Sequence, residues 1–523
     1  MQPRIPTLDA DANWQALLAE PHRSALEQTI LPAWMRRMRW FGGKAHTMRG
    51  VKIADLVPFG TDARSARAAF LEVAYLDAPS EVYFVPLQIA SGAERVRLPD
   101  LKATAVIAHL RGDGILYDAI EDSRFRDALL GMIAFGKRAA AGDSHFIGIP
   151  GRCMESMPAD FHLPSLALSL EQSHSSIRYG DRFFLKLHRK LEDGVNLDAE
   201  MLRHLGEDQK FAHTPAFCGA IERRRDGAPP RTLALLTGCV PNTGTAWTRA
   251  LSALDLFFRR VETLKPDPAA VREHAGDFLE KARLLGRRTA GMHLALAAES
   301  GNPDFAPEPF DRAALLAVCE SMAAGTRRTM EFLRKKSDEL PENHRAELLE
   351  LAAHETEIVR RQTRICERGI AATRTRIHGD FHLGQALDTG GDFVFLDFDG
   401  EPARPLAERR MKRSPLCDVA GMLRSFHYAA HHALAMHPCR DGELLAWAEI
   451  WAQRIGRDFL DAYLDAARGA SFLPADPKSL AILLDALLLE KAVYEVWYEL
   501  NNRPDWAFIP ARGIRRILDA SEA

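Results

Sequence analysis

Two short segments about a dozen residues apart constrain this chain more than any other feature: His378-Gly379-Asp380-Phe381-His382-Leu383-Gly384-Gln385 and Phe395-Leu396-Asp397-Phe398-Asp399-Gly400-Glu401-Pro402. An acid followed five positions later by a carboxamide, then an apolar run ending in a second acid, is what transfer of a phosphoryl group demands. That chemistry needs a carboxylate near the acceptor hydroxyl, oxygen ligands for Mg²⁺ and a cation on the phosphates, because its catalysis is mostly positioning and charge stabilisation. Asp380 suits the first role. Gln385 can return a carbonyl oxygen to a metal enclosed by the loop, Asp397 can bind the metal that bridges the phosphates, and Asp399 is a candidate second ligand. The stretch 392–396 reads as a buried strand entered from the Gly390-Gly391 turn. A lone His-Gly-Asp is also ordinary turn chemistry; the joint spacing of Asp380, Gln385 and Asp397 carries the reading. His382 could touch substrate or orient the loop through a backbone hydrogen bond.

The cation is expected in the first half. Residues 166–173 lead through Ser173-His174-Ser175-Ser176 into 177–188, which reads as hairpins whose alternation puts Phe184, Lys186 and His188 on one face. An inward strand lysine is the point charge that ATP phosphates need, although an amphipathic strand lysine with its head in water shows the same pattern. Its expected counter-ion is Glu200, on the helix that follows. Neither Gly-x-Gly-x-x-Gly nor a Walker motif is present, so the phosphate loop is expected at Ser173 to Ser176, with Ser173, Ser175 and Ser176 donating to anionic oxygens. Residues 232–241 read as the last strand and a hinge, where the backbone from Thr237 to Cys239 would face the adenine edge.

With 68 Lys and Arg against 71 Asp and Glu, a net charge of −3, nothing draws the chain as a whole to nucleic acid or membrane. The runs Arg223-Arg224-Arg225 and Arg409-Arg410-Met411-Lys412-Arg413 read as solvated surface. Seven cysteines without a Cys-x-x-Cys pair argue against disulfides and zinc. Histidines 427, 431, 432 and 437 cluster, and 427 and 431 share a helix face, but no acidic third ligand has matching spacing, so no metal is assigned there. The N-terminus lacks a signal peptide's apolar stretch, and the most apolar segment, 480–493, is interrupted by Asp485, Glu490 and Lys491; a soluble cytoplasmic protein is expected.

A length of 523 residues exceeds one core, so two or three substructures are expected. Strand-like pieces at 51–56, 69–75 and 81–87 suggest a small antiparallel sheet over roughly 40 to 110, and a second β-rich region covers 166–240. From about Gly244 the pattern turns helical, with amphipathic stretches at 250–264, 273–298, 312–336 and 345–367.

His378 to Gln385, together with Asp397 to Arg410, resembles the maltokinase family, relatives of the aminoglycoside phosphotransferases and more distantly of protein kinases. The similarity continues through 414–426 and 489–506, and Leu31-Pro32 with Arg39-Trp40-Phe41-Gly42-Gly43-Lys44 looks like the family's entry motif; residues 1–30 have no place in it. The resemblance implies an α+β, bilobal protein kinase-like fold, with an N-terminal extension and β-rich cap subdomain over 1–125, a nucleotide-binding lobe over 126–240 and a mostly helical lobe over 241–523. It implies ATP and Mg²⁺ as cofactors and transfer of the γ-phosphate to the anomeric hydroxyl of maltose. In such a fold an acid placed as Glu200 is holds the lysine over the phosphates, and an Asp placed as Asp418 is caps the catalytic loop's amides, with His378 beside it.

Lys491, Tyr494 and Tyr498 fall at i, i+3 and i+7, on one face of a helix that should end before Pro504. Rings stack on the apolar face of a pyranose while an ammonium bonds its edge. Aromatic residues at helical spacing are also ordinary core, and it is the resemblance, in which these positions contact the disaccharide, that assigns them to substrate. Arg404 could meet the sugar or phosphate, or serve an ion pair; His293 matches a family helix without an assigned role. A kinase of the same fold acting on another sugar such as glucosamine would keep Lys186, Asp380, Gln385 and Asp397 but change the face around Lys491. A non-catalytic partner domain of trehalose synthase, to which some maltokinases are fused, would be expected to lose one of the four. An aminoglycoside acceptor would want an acid-rich pocket, and Lys491 has the wrong sign. The expected protein is a monomer without nucleic-acid or membrane partners, with trehalose synthase as a pathway partner.

Overall fold

The computed structural model describes residues 5–59, 65–98, 101–155, 157–158, 161–168, 174–342, 344–402, 404–438 and 442–520. The chain divides into two compact units, one of residues 1–203 with 215–239 and one of 204–214 with 240–523. The change near 240 lies where the strand pattern gives way to the helical one.

The first unit carries two antiparallel sheets. In the first, β1 (Met48–Pro58), β2 (Arg67–Tyr75), β3 (Glu81–Ala90), β4 (Val106–His109) and β5 (Ile115–Asp118) lie in the order β1-β2-β3-β5-β4. Strand β3 is Val- and aromatic-rich and buried on both faces from Tyr83 to Gln88, as a strand between two apolar layers must be. Short helices α1 (Trp14–Leu18), α2 (His22–Ala25) and α3 (Leu31–Arg37) cover it. Leu17, Leu31 and Trp34 pack in one core with Val51, Leu71 and Val85. Leu8, Leu17, Leu26 and Ile30 of the extension therefore belong to the cap's own core.

After α4 (Ala93–Val96) and α5 (Ser123–Ala134), the second sheet is built from β6 (Arg138–Ala141), β7 (Ser144–Pro150), β8 (Ser165–Leu168), β9 (His174–Tyr179) and β10 (Phe183–His188), then β12 (Phe217–Arg225) and β13 (Arg231–Gly238), in the order β6-β7-β12-β13-β10-β9-β8. Between them, β11 (Lys190–Leu191) crosses back to pair with β3, and α6 (Leu197–Arg203) follows it. The expected boundary near 125 separates two sheets but not two cores: Phe59, Phe70 and Phe84 pack with Phe125, Phe146, Ile177 and Leu185. Arg189, 1% exposed, ties the same layers by donating to Asp118 at 2.6 Å and to Ser175 at 2.8 Å.

The second unit is mostly helical: α7 (Ala246–Val261), α8 (Val271–His274), α9 (Phe278–Ala297), α10 (Arg312–Lys335), α11 (Arg345–Ala353), α12 (Glu355–Arg368), α13 (Leu406–Arg409), α14 (Leu416–Met436), α15 (Gly442–Ala466), α16 (Pro477–Asn502) and α17 (Phe508–Asp519). Helix α7 starts at a capping box of Thr245 and Thr248, and α16 at Asp476, whose carboxylate accepts from the amides of Lys478 and Ser479. The single helix expected over 345–367 is two, α11 and α12, meeting at His354. Two small two-stranded sheets interrupt the helices, β14 (Glu308–Pro309) with the distant β15 (Thr373–Arg374), and the hairpin of β16 (Ala386–Asp388) with β17 (Phe393–Phe395). The structure joins Cys153 to Cys218 and Cys319 to Cys366, contrary to the expectation of no disulfides. The partners are 65 and 47 residues apart, so spacing could not reveal them. Among the described residues no helix is long and apolar enough to cross a membrane.

Candidate active site

The loop 378–385 is held from behind by α14. Asp418, in its first turn and 2% exposed, accepts from the backbone N–H of His378 at 2.8 Å and of Gly379 at 2.9 Å. A third donor is His293 of α9, whose Nε2–H reaches Asp418 at 3.0 Å while its Nδ1 accepts from the Tyr463 hydroxyl at 2.9 Å. Burial opposes the charge on Asp418, but the bonds from His293 and Gly379 hold its pKa below the ordinary aspartate value. His293, left without a role by its sequence, is thus the outermost brace of the loop.

Further contacts fix the loop's direction. His378 Nε2 lies 2.8 Å from the Leu396 carbonyl, which can only accept, so the proton sits on Nε2 and Nδ1 faces the Asp380 amide at 3.4 Å. Gly379 takes φ +84°, where a side chain would be strained. A Cβ on Gly421 would stand 2.6 Å from the Phe381 carbonyl oxygen, so only glycine lets α14 come this close. His382 Nδ1 accepts from the Gly384 amide at 3.0 Å, and burial lowers the pKa of its ring. Of the two roles open to His382, loop orientation is the one the geometry displays.

The hairpin β16–β17 brings the metal-type ligands together. Its register pairs Ala386 with Phe395, and the Leu396 amide donates to the Gln385 carbonyl at 2.9 Å. Gln385 Nε2 then lies 3.3 Å from Asp397 Oδ2. Asp397 adopts φ +65°, a left-handed conformation uncommon for aspartate and found where surrounding structure over-determines it. Asp397 and Asp399 each offer a carboxylate oxygen within 4.8 Å of the other. Lys281 of α9 clamps the hairpin at Asp388 (3.2 Å) and at the Gly390 carbonyl (2.6 Å), and Arg288 grips Asp392 through two bonds of 2.7 and 2.8 Å. The carboxylates of Asp397 and Asp399 are oxygen ligands of the kind that fits Mg²⁺, and Gln385 stands beside them with its Nε2 toward Asp397.

Facing the loop, α16 presents Lys491. Its ammonium donates to Glu401 at 2.8 Å and lies 3.6 Å from Asp380. Burial works against that charge, yet Glu401 and Asp380 keep the lysine pKa above its ordinary value. Glu401 is buried too, but Lys491 and Arg404 outweigh the burial and hold its carboxyl down to about 2. Arg404 donates to Glu401 at 2.7 Å, so it serves the ion pair that was one of its two expected roles. The Lys491 ammonium stands 5.0 Å from the centre of the Tyr494 ring. Tyr498 lies one turn further along and is 41% exposed; the structure does not bring it to Asp380. A cavity of about 530 Å³ opens beside this face, lined by Thr326, Arg404, Glu490, Tyr494 and Trp497 among others. It shares Arg404, Glu490 and Tyr494 with a smaller hollow that touches Gly379 and Phe381.

In the first unit, Phe184, Lys186 and His188 share a face of β10 that is less buried than its opposite one. The acid found on Lys186 is Asp198, at 2.7 Å and fully buried, two positions before the Glu200 expected from the sequence. Both acids lie in the first turn of α6, and two residues of a helix point about 200° apart, so choosing between them required the helix's rotation. The expected phosphate loop is also corrected. Ser175 and Ser176 lie inside strand β9, paired with Leu187 and Lys186 of β10, and Ser173 falls outside the described residues. Ser176 is buried opposite Lys186, and the Ser175 hydroxyl is taken by Arg189. At the expected hinge, the Cys239 amide donates to the Arg182 carbonyl at 2.8 Å and the Gly238 amide to Ala216 at 3.0 Å. The Thr237 hydroxyl donates to the Phe184 carbonyl at 3.3 Å. The amides of Gly238 and Cys239 are thus engaged within the first unit.

Comparison with known proteins agrees with this architecture. Residues 34–122 match the family model of the maltokinase N-terminal cap domain, the first of the two sheets. A glucosamine kinase of Mycolicibacterium smegmatis is 27% identical over 67% of this chain and 79% of its own length. One of Streptacidiphilus jiangxiensis is 27% identical over 56% of this chain, and the match spans 59% of that relative. Among solved structures, a glucosamine kinase in complex with glucosamine, ADP and inorganic phosphate superposes with a TM-score of 0.63 at 20% identity, covering 97% of this chain and 99% of that one. A second crystal form reaches 0.65 at 21% identity, again over 97% and 99%. The two antiparallel sheets followed by a helical unit are thus a bilobal α+β, kinase-like fold. The chain thus carries a segment that matches the maltokinase N-terminal cap at residues 34–122 and a kinase-like fold along nearly its whole length.

Proposed function

We propose that this protein is an ATP-dependent maltokinase, transferring the γ-phosphate of ATP to the anomeric hydroxyl of maltose. The observation that carries the reading is the loop 378–385, whose Asp380 carboxylate lies 3.6 Å from the Lys491 ammonium. Asp380 orients the acceptor hydroxyl and takes its proton. Lys186, held by Asp198, serves the phosphates, a cation kept in place by a buried partner. Gln385, Asp397 and Asp399 would hold Mg²⁺, and the ion when bound supplies charge neutralisation at the phosphate oxygens. His378 and Asp418 position Asp380 from behind. Nucleotide binding also draws support from the ADP named with the related solved structure.

For the acceptor, we assign the 530 Å³ cavity beside Tyr494, which has room for roughly two pyranose rings. Two acids near it are matched, Glu401 by Lys491 and Arg404 and Glu490 by Arg413 at 2.7 Å, while a third, Glu408, lines the cavity. The cations Lys491, Arg404 and Arg413 on this side suit an uncharged sugar better than an amino sugar. Glucosamine is the second reading, favoured by the names of the relatives. The cytoplasm is where such an enzyme meets ATP, and trehalose synthase is the partner we place beside it. Purified protein with ATP and Mg²⁺ is to be assayed for ADP release against maltose, trehalose, glucose and glucosamine. Turnover with maltose alone is the expected result; turnover with glucosamine alone keeps the chemistry and overturns the substrate.

A further inference from the structure

Away from the catalytic loop, His427, His431 and Glu449 bring three metal-type ligand atoms within 4.8 Å of one another. The histidines lie one turn apart on α14, 3% and 2% exposed, and Glu449 reaches them from α15. His431 Nε2 is 2.8 Å from Glu449 Oε1, His427 Nε2 is 3.1 Å from the same oxygen, and the two Nε2 atoms are 3.1 Å apart. Protons alone cannot satisfy this triangle. If both nitrogens carry hydrogen, two donors meet along the N–N edge; if one gives up its proton, its lone pair faces the carboxylate oxygen.

One cation satisfies all three edges. A tetrahedral ion with nitrogen and oxygen ligands at about 2.0–2.1 Å spaces those ligands roughly 3.3 Å apart, within a few tenths of an ångström of two of these distances and about half an ångström of the third. The other oxygen of Glu449 accepts from Arg516 at 2.7 Å, which orients the carboxylate and leaves Oε1 to the ion. Arg424 approaches His427 Nδ1 at 3.4 Å, but it is engaged by Glu495 at 2.8 Å. Two arginines against two glutamates leave the surroundings balanced in charge. Glu449 lies about twenty residues from the histidines and on the next helix, so local spacing gave no sign of a third ligand.

We propose that His427, His431 and Glu449 form a zinc site, one ion taking two Nε2 atoms and Oε1 with water as fourth ligand, that staples α14 to α15. Helix α14 also carries Asp418, so the staple braces the element that positions the catalytic loop. The site uses none of the residues assigned to phosphoryl transfer, and its test is independent of that reading. Full-length protein stripped with chelator is to be titrated with Zn²⁺ alone, without nucleotide or Mg²⁺, by calorimetry and thermal unfolding, and with Co²⁺ by visible absorption. We expect one equivalent bound at micromolar affinity or tighter and a Tm rise of about 2.5 °C at a hundredfold excess over Kd. The Co²⁺ form should show the intense visible bands of a tetrahedral site. His431→Gln and, separately, Glu449→Gln should each weaken binding by about 100-fold or more. Absence of binding below millimolar Zn²⁺, or binding that either properly folded variant retains unchanged, overturns the proposal.

Discussion

The loop 378–385 and the helix face opposite it are a few ångströms apart, yet they hold their side chains by different means. The loop is fixed by buried hydrogen bonds to its own backbone: Asp418 on the His378 and Gly379 amides, His378 on the Leu396 carbonyl, His382 on the Gly384 amide. The α16 face is fixed by charge, with Glu401 paired to both Lys491 and Arg404 and Lys491 also 3.6 Å from Asp380. Bonds of the first kind prescribe one backbone path and tolerate little change. Charge pairs prescribe only a balance, and can be re-drawn while the path beneath them stays. The contrast suggests why one chemistry can serve several acceptors: reaction and specificity are held by separable interactions.

The largest effect should come from cutting the loop's anchor. Asp418→Ala leaves three buried donors without an acceptor, at about 1–3 kcal/mol each, so stability should fall by roughly 3 kcal/mol or more. Turnover should drop by about 10²-fold, and Asp418→Asn, which keeps one acceptor oxygen, should recover part of both; thermal unfolding and steady-state kinetics read the two. Equal losses for the alanine and asparagine variants would mean that the backbone bonds are not what holds the loop.

Acid should strain the other region. Glu401 has its folded pKa depressed from 4.5 to about 2, so its contribution is fully present above about pH 4.5 and is lost as pH falls through about 2. That contribution is roughly 3 kcal/mol. Unfolding followed between pH 5 and 2 should show a steep loss that flattens in Glu401→Gln.

Smaller changes separate specificity from chemistry. Lys491→Met should raise the acceptor KM by about tenfold, near 1.4 kcal/mol, while the KM for ATP changes little. A loss confined to kcat would instead place Lys491 on the reacting atoms. Tyr498→Ala, at a half-exposed ring away from Asp380, should alter the acceptor KM less than about twofold. A tenfold rise would return Tyr498 to the acceptor site.

Legibility followed sequence distance. Gln385 and Asp397 lie across one short hairpin, and their spacing was enough to place them within 3.3 Å of each other. The alternation of β10 likewise showed which face Lys186 would take. Asp198 was missed because helix rotation, not composition, selects between it and Glu200. Ser175 and Ser176 looked like a turn because serine is common in turns, whereas their pairing with β10 makes them strand. The fit of Leu8, Leu17 and Leu26 depends on apolar contacts with β1 and β2, and the Lys491–Glu401 pair spans 90 positions; neither leaves a local trace.

The central claim is that Asp380 acts on the acceptor and not on the nucleotide. Asp380→Asn should be tested for ADP formation with the best acceptor and, on the same sample, for ATP affinity by calorimetry. Turnover lower by about 10³-fold with ATP affinity within twofold is the predicted result. Turnover kept near the parent value, or ATP binding lost together with it, would contradict the account.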